Sequence, residues 1–335
     1  MKKSLVVMAA LGAFAGVAAA QSSVTLFGVV DVAARYTKAG GQDKYELAAD
    51  GSSSSRLGVR GVEDLGGGLK AGFWLEHSFA ADTGTSGDTA RFWGRRATVS
   101  LSGDFGEVRL GRAKTSTRLV IDDFDIYGTV GLGDVTKVYR VFGAADTYNR
   151  ADNQVSYFLP GNLGGFYGSV DVGAGEGTVG KKYVGGRVGY KAGALHVGGG
   201  YQSTTGTGNA KIKLASLGAT YDFGVVRVNG LVSRNEFGSA KQTITTIGAL
   251  VPVGPVGSFS AQFTNASSNT SANEAKLYTL GYVHTLSKRT ALYVTGSIID
   301  NERGANFRST SGTSGVAAVT SGKYGSADVG IRHSF

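Results

Sequence analysis

Residues 56–60 read Arg56-Leu57-Gly58-Val59-Arg60, and the spacing of the two arginines in this stretch decides the fold. Successive side chains of a β-strand point to opposite faces, so Arg56, Gly58 and Arg60 share one face while Leu57 and Val59 share the other. Such a strand divides an aqueous space from an apolar one. The segment runs on into Asp64-Leu65-Gly66-Gly67-Gly68, a turn signal, and resumes at Leu69-Lys70-Ala71. The same alternation returns in Arg96-Ala97-Thr98-Val99-Ser100-Leu101 and in Val108-Arg109-Leu110. It closes the chain, where Val329, Ile331, His333 and Phe335 fall on one face and Asp328 and Arg332 on the other.

The apolar side of these strands is expected to meet lipid. Met1 to Ala20 carries Lys2 and Lys3, an apolar stretch from Leu5 to Val17, and Ala18-Ala19-Ala20. This is the layout of an export signal cleaved before Gln21. The stretch is shorter than the roughly 20 residues a membrane-spanning helix needs, and no later window approaches that length. Residues 1–20 are therefore expected to be a cleaved signal peptide and 21–335 a single domain. Glycine is abundant at 54 residues, proline rare at 3 and cysteine absent, a composition of many strands and turns without disulfides or thiolate metal sites. The formal charge of +9 becomes +7 once Lys2 and Lys3 are removed, and its bases are scattered rather than gathered on an arm or helix, so no nucleic acid is expected as partner.

Punctuation along the chain is of two kinds. Seven short turns are expected, at 64–68, 103–106, 160–165, 192–193, 222–224, 252–255 and 287–290. Eight longer polar stretches alternate with them, near 37–54, 80–90, 113–151, 173–181, 203–210, 235–241, 265–273 and 300–322. Fifteen connections join sixteen strands, with every short turn on one side. An even number of strands with short turns at one end and longer loops at the other is the pattern of a transmembrane β-barrel. The first strand, Val24 to Tyr36, is expected to pair with the last, Tyr324 to Phe335, so that no sheet edge is left in the bilayer. Strands of about 10 residues tilted by about 40° rise about 25 Å, the height of the apolar band. Placing Arg56 and Arg60 on the lipid side would cost about 2–4 kcal/mol each near the midplane, so the arginines face the lumen. Aromatic residues Phe105, Tyr157, Phe166, Tyr190, Tyr221, Phe223, Tyr282 and Phe335 gather beside the short turns, as an interfacial girdle would.

Several segments together resemble the trimeric general diffusion porins of Gram-negative outer membranes, in their β-proteobacterial type. Residues Ser55 to Ala71 resemble the early hairpin of that family, and Gly103 to Arg112 the hairpin leading into its third loop. Arg150-Ala151-Asp152-Asn153-Gln154-Val155-Ser156-Tyr157 resembles the strand leaving that loop, and the C-terminal Phe335 matches the assembly signal. The resemblance implies a water-filled, sixteen-stranded barrel, a homotrimer in outer-membrane lipid, with the long third loop folded into the pore. The loop at 113–151 carries Asp122, Asp123, Asp125 and Asp134, with Gly128, Gly131 and Gly133 between them. Folded inward, these constriction-loop acids would face a basic cluster of Arg56, Arg60, Arg96 and Arg109, and such opposed charges select ions. A solvated external loop, or a Ca²⁺ contact, is the alternative for the acidic run.

The expected lumen bases are Arg35, Arg56, Arg60, Lys70, Arg96, Arg109, Arg187, Lys191, Arg227 and Arg332. The expected lumen acids are Asp31, Glu76, Glu107, Asp171, Asp222 and Asp328. The excess of bases predicts a modest anion preference for a channel that passes inorganic ions and small hydrophilic solutes. Enzymatic readings have little support. His77, His196, His284 and His333 are dispersed, without a metal-ligand spacing, so no metal or cofactor is expected. No GxSxG-type motif frames a serine nucleophile, and the glycines at 173–177 lack the following helix that phosphate binding requires. His196 is expected to face lumen water. Three rivals remain: a substrate-selective channel of the same shape, for which only Trp74 was evident as a lumen aromatic; a barrel hydrolase; and a secreted β-rich adhesin. Gly28, Ala97 and Ala327 are small outward residues at which barrels could pack together, or lipid could.

Overall fold

The computed structural model describes residues 23–142, 147–310, 316–317 and 319–335, so the export signal expected at 1–20 lies outside them. Strand β1 (Ser23–Ala39) pairs with β3 (Arg56–Gly66) through its first half and with β17 (Lys323–Ser334) through its second. From there each strand pairs antiparallel with the next: β4 (Leu69–Ser78), β5 (Arg96–Gly103), β6 (Gly106–Lys114), β7 (Arg150–Phe158), β8 (Phe166–Gly173) and β9 (Tyr183–Ala192). The wall continues through β10 (Leu195–Thr205), β11 (Lys211–Asp222), β12 (Arg227–Phe237), β13 (Ala240–Val253), β14 (Gly257–Ser268), β15 (Glu274–Thr285) and β16 (Thr290–Glu302) to β17. Pairing of β1 with β17 closes the ring, so no wall edge is exposed to lipid.

Sixteen strands therefore make the wall, as the sequence predicts. A seventeenth, β2 (Gln42–Ala48), lies within the first long connection and extends β1 outward as a hairpin. The stretch read as a longer loop at 235–241 is a two-residue hairpin, because β12 and β13 stay paired out to Phe237 and Ala240. Local chemistry makes the short turns. The Asp64 carboxylate accepts the N–H of Gly66 at 2.9 Å, and Asp222 does the same for Gly224 at 2.8 Å, each glycine sitting in the left-handed region that L-residues avoid.

The seam is sealed by the C-terminus. Phe335 exchanges two backbone hydrogen bonds with Gly28, and its ring lies over that glycine. A Cβ on Gly28 would sit 2.3 Å from the ring, so the space above this small residue is filled by the chain's own last side chain rather than open to a neighbouring barrel.

Outward positions such as Val99, Leu217, Leu280 and Val329 are exposed aliphatics. Beside the short turns, Phe166 and Tyr190 stand 4.9 Å apart, Tyr221 and Phe223 4.6 Å, and Phe259 and Tyr282 4.7 Å, amphipathic rings at the height of an interface. The apolar core is not between strands but inside the barrel. Leu214, Leu231, Ile244, Leu277, Ile299 and Tyr324 point inward from the loop-side halves of their strands. They pack against loop residues Val120, Ile121, Phe124, Val135, Val138 and Phe307.

Candidate functional site

The lumen is shaped by the connection between β6 and β7, the loop the resemblance folds inward. Helix α1 (Ser116–Phe124) opens it, capped by Thr115, whose hydroxyl accepts from the Arg118 N–H. The helix lies on the lumen face of β8 to β12. It can approach that closely because glycines lie beneath it: Cβ atoms on Gly198, Gly200 and Gly218 would meet Phe124 at 3.3 Å, Val120 at 3.1 Å and Phe124 at 2.2 Å. Its first turn is fixed by polar bonds to the wall, Ser116 N–H to Asp171 at 3.1 Å and Thr117 hydroxyl to Gln202 at 2.5 Å. Beyond the helix, the turns Gly131–Gly133 and Val135–Val138 cross to β15, β16 and β17. Arg140 then anchors the return by donating to Asn273 and to the Ala272 carbonyl, both at 2.7 Å. The loop thus occupies one side of the barrel and leaves the β3 to β7 wall facing the open path.

Three of the four loop acids are engaged within the loop and its base. Asp122 pairs with Lys114 at 2.5 Å and Arg118 at 2.9 Å. Burial alone would raise the Asp122 carboxyl, but Arg118 and Lys114 outweigh it and hold the group below the usual carboxylate range. Asp125 is buried and accepts the backbone N–H groups of Tyr127, Thr129 and Val135 at 3.1, 2.8 and 3.2 Å. Asp134 is buried as well and accepts from the Thr136 N–H at 2.8 Å. Asp123 alone of the four reaches toward the water path, paired with Arg187 at 2.9 Å. The expected ring of acids facing the arginines is therefore, for Asp122, Asp125 and Asp134, a set of clamps that hold the loop's shape.

The basic residues on the opposite wall are arranged in two tiers. The lower tier holds Arg60, Arg96 and Arg109, interleaved with aromatic rings. Arg60 lies 5.4 Å from the Phe27 ring and 5.0 Å from Trp74; Arg96 lies 4.4 Å from Trp74 on its other flank; Arg109 lies 4.2 Å from Phe158. Phe27 and Trp74 meet edge to face at 5.1 Å. Among the described residues Arg60 and Arg96 make no ion pair, whereas Arg109 grips Glu107 with two bonds of 3.0 and 2.9 Å. The upper tier holds Arg56, with Arg95 and Arg150 from the loop ends. Arg95 pairs with Glu76 at 2.5 Å and lies within electrostatic reach of both Arg56 and Arg150.

Packing removes charges selectively from the lumen surface. Asp31, Asp171 and Asp328 are 0, 1 and 0 % exposed, against 4 % for Arg35, the one predicted base that is equally covered. Arg35 and Asp328 form a bidentate pair at 2.7 Å. Asp31 is consumed by the Tyr293 hydroxyl at 2.6 Å and the N–H groups of Gly51 and Ser53. Asp171 takes the Ser116 N–H, the Gln154 amide and the Tyr183 hydroxyl. The lining loses one base and three acids in this way, and Glu76, held by Arg95, is a fourth buried acid.

Sequence reading did not place Arg95, which precedes β5, or Arg150, the first residue of β7, in the lumen; the register shift at Gly111–Ala113 interrupts simple alternation beside Arg150. It also missed the lumen aromatics: Trp74 is accompanied by Phe27, Phe158 and Tyr167, so the lining is not the single ring expected. Phe27 was findable, since it shares the parity of Asp31 and Arg35 on β1. His196, expected in lumen water, is instead half-covered, with its ring 4.7 Å from Phe124 and Nε2 bonded to the Tyr167 hydroxyl at 2.9 Å.

Comparison with known proteins follows the same geometry. Residues 7–304 match the Gram-negative porin family. The chain is 40% identical to outer membrane porin protein 32 of Delftia acidovorans, with 100% of each chain covered. It is 28% identical to an outer membrane porin of Bordetella pertussis, again over 100% of both. It is similar in structure to an anion-selective porin from Comamonas acidovorans, with a TM-score of 0.85 and 38% identity over 94% of this chain and 100% of that one. Its likeness to Salmonella typhi OmpF, with a TM-score of 0.71 and 14% identity over 93% and 97% of the two chains, is one of fold.

Proposed function

Because this chain belongs to the Gram-negative porin family, and is therefore a channel of the bacterial outer membrane, we propose that it passes small hydrophilic solutes and inorganic ions by passive diffusion with a preference for anions. The observation that carries the sign of selectivity is the imbalance in the lumen: among the described residues Arg60 and Arg96 make no ion pair, while Asp31, Asp171 and Asp328 are buried with their partners. A lumen lined by one sign raises the local concentration of its counter-ion. The anion selectivity of the Comamonas acidovorans porin, to which the chain is 38% identical, supports the same sign. On this reading Arg56, Arg60, Arg96 and Arg109 line the ion path. Asp122, Asp125 and Asp134 keep the third loop seated, and Asp123 is the loop's contribution to the lining.

The protein acts as a homotrimer in this proposal, as the resemblance implies, with residues 1–20 as its export signal and Phe335 as both seam closure and assembly signal. Ala97 and Ala327 remain the small outward residues at which barrels can approach. The test is planar-bilayer recording of purified protein across a KCl gradient. Stepwise currents in groups of three, with a reversal potential on the chloride side, are expected. A potential on the potassium side would overturn the anion preference, and single uncoupled steps would overturn the trimer.

A further inference from the structure

Around the wall, the inward residues of neighbouring strands run Phe27 on β1, Arg60 on β3, Trp74 on β4, Arg96 on β5, Arg109 on β6 and Phe158 on β7. Of these, Arg60, Trp74, Arg96 and Arg109 border a cavity of about 480 Å³ on the short-turn side of the upper arginines, while Phe27 and Phe158 lie against Arg60 and Arg109 outside its lining. Its volume lies within the range of small-molecule sites. Arg60, Arg96 and Arg109 line it against one acid, Glu107, which is already held by Arg109. Two features exceed what a plain electrostatic lining requires. Arg60 and Arg96 lie over the rings without an ion pair among the described residues, so the planar N–H fork of each guanidinium is available to a carboxylate. Nε of Arg96 donates to the Thr98 hydroxyl at 2.9 Å, which leaves its terminal nitrogens for a ligand. Aromatic surface also lies directly beside those forks, where an inorganic ion has no use for it.

We propose that this cavity is a binding station for aryl carboxylates, in which the arginine forks of Arg60 and Arg96 take the carboxylate while the indole of Trp74 takes the aromatic ring. The station rests on the anion-preferring reading of the channel and adds to it a substrate class. A carboxylate replaces water on two cations that have no ion-pair partner among the described residues. The ring gains edge contact with the part of the half-buried Trp74 indole that Arg60 and Arg96 leave uncovered. Because the cavity is open and lies beside the ion path, a bound solute narrows that path and can leave toward the short-turn mouth.

The experiment compares sodium benzoate with sodium acetate as blockers of chloride current through the intact protein in planar bilayers. Both anions carry one charge, so the lumen's electrostatics act on them alike. The station predicts half-block by benzoate at a concentration about threefold to tenfold below that of acetate, the factor expected of one aromatic contact. Trp74→Leu should bring the two acids level, and Trp74→Phe should retain part of the difference. Equal half-block by benzoate and acetate in the unaltered protein would overturn the proposal, as would a Trp74→Leu channel that still separates them. Either result would mean that the rings serve only to orient the arginines. If the leucine variant does not assemble, cyclohexanecarboxylate against benzoate in the unaltered protein decides the matter, and equal block by these two sinks the site. Chloride-over-potassium selectivity in KCl alone, with no organic acid present, reports separately on the general anion reading.

Discussion

Two arginines that look equivalent in the sequence should behave in opposite ways when their charge is removed. Arg96 faces the water path without an ion pair among the described residues, whereas Arg35 is 4 % exposed and bound through two of its nitrogens to an Asp328 that is fully buried. Removing the Arg96 charge takes about 0.7 kcal/mol from an anion passing at about 6 Å in water and gives the same to a cation. Screening at about 0.1 M salt roughly halves both energies. The sum, close to 0.8 kcal/mol, is a factor of about three to four in the anion-to-cation permeability ratio. Arg96→Gln should therefore move the reversal potential in a KCl gradient toward potassium by the shift that this factor produces. Arg35→Gln removes the same formal charge, yet from a pair that packing covers from the ion path, and it leaves Asp328 buried without that partner. The charge exposed to passing ions then changes little, and the cost appears as stability, about 3–5 kcal/mol for half of a buried pair. The measurements are reversal potential and the temperature at which the folded band disappears on a semi-native gel. Equal reversal shifts for the two variants, or an Arg35→Gln barrel as heat-resistant as the parent, would refute the claim that burial decides which charges the ion meets.

Three further changes test other parts of the structure. Glu107→Gln frees Arg109 from its bidentate partner and should move the reversal potential further toward chloride; no movement would mean that Arg109 does not face the ions. Phe124→Ala empties the fully buried seat of helix α1 above Gly218, at a cost of about 3–5 kcal/mol to loop docking, and should give larger, noisier single-channel currents than the parent. Gly28→Ala puts a Cβ 2.3 Å from the Phe335 ring and 2.7 Å from the Arg56 carbonyl, so the barrel should lose its folded gel band at a lower temperature, by an overpacking cost of about 1–3 kcal/mol.

The sequence makes the wall legible because period-two alternation and turn chemistry are local. Leu57 and Val59 against Arg56 and Arg60 need only neighbours to be read, and so do Asp64 and Gly66 in their turn. The closing pair β1 and β17 is legible too, since an unclosed sheet has no place in a bilayer. What stays hidden is whatever depends on one loop finding distant strands. Leu231, Ile244 and Leu277 are apolar residues on the lumen side, a placement explained only by Val135 and Val138 arriving from the third loop to cover them. For the same reason the loop acids misled. Alternation has nothing to say about a loop, and the resemblance assigned Asp122 and Asp125 to the pore without knowing that Lys114, Arg118 and three backbone N–H groups already claim them.

The selectivity of this lumen is thus a product of packing as much as of composition. Inward acids and bases are both encoded along the strands, but loops cover them unequally. The Ser116 N–H of the third loop takes part of Asp171, the first loop's Gly51 and Ser53 take Asp31, and Arg35 takes Asp328. Carboxylates suit this burial because several backbone N–H donors can converge on one of them at little cost in side-chain entropy. A guanidinium needs several acceptors in its own plane, and it is more cheaply left on a ring facing water. Covering the loop-side half of such a lumen therefore withdraws acids in preference to arginines. Without any change in the strands, the β3 to β7 wall is left as the positive side of the channel.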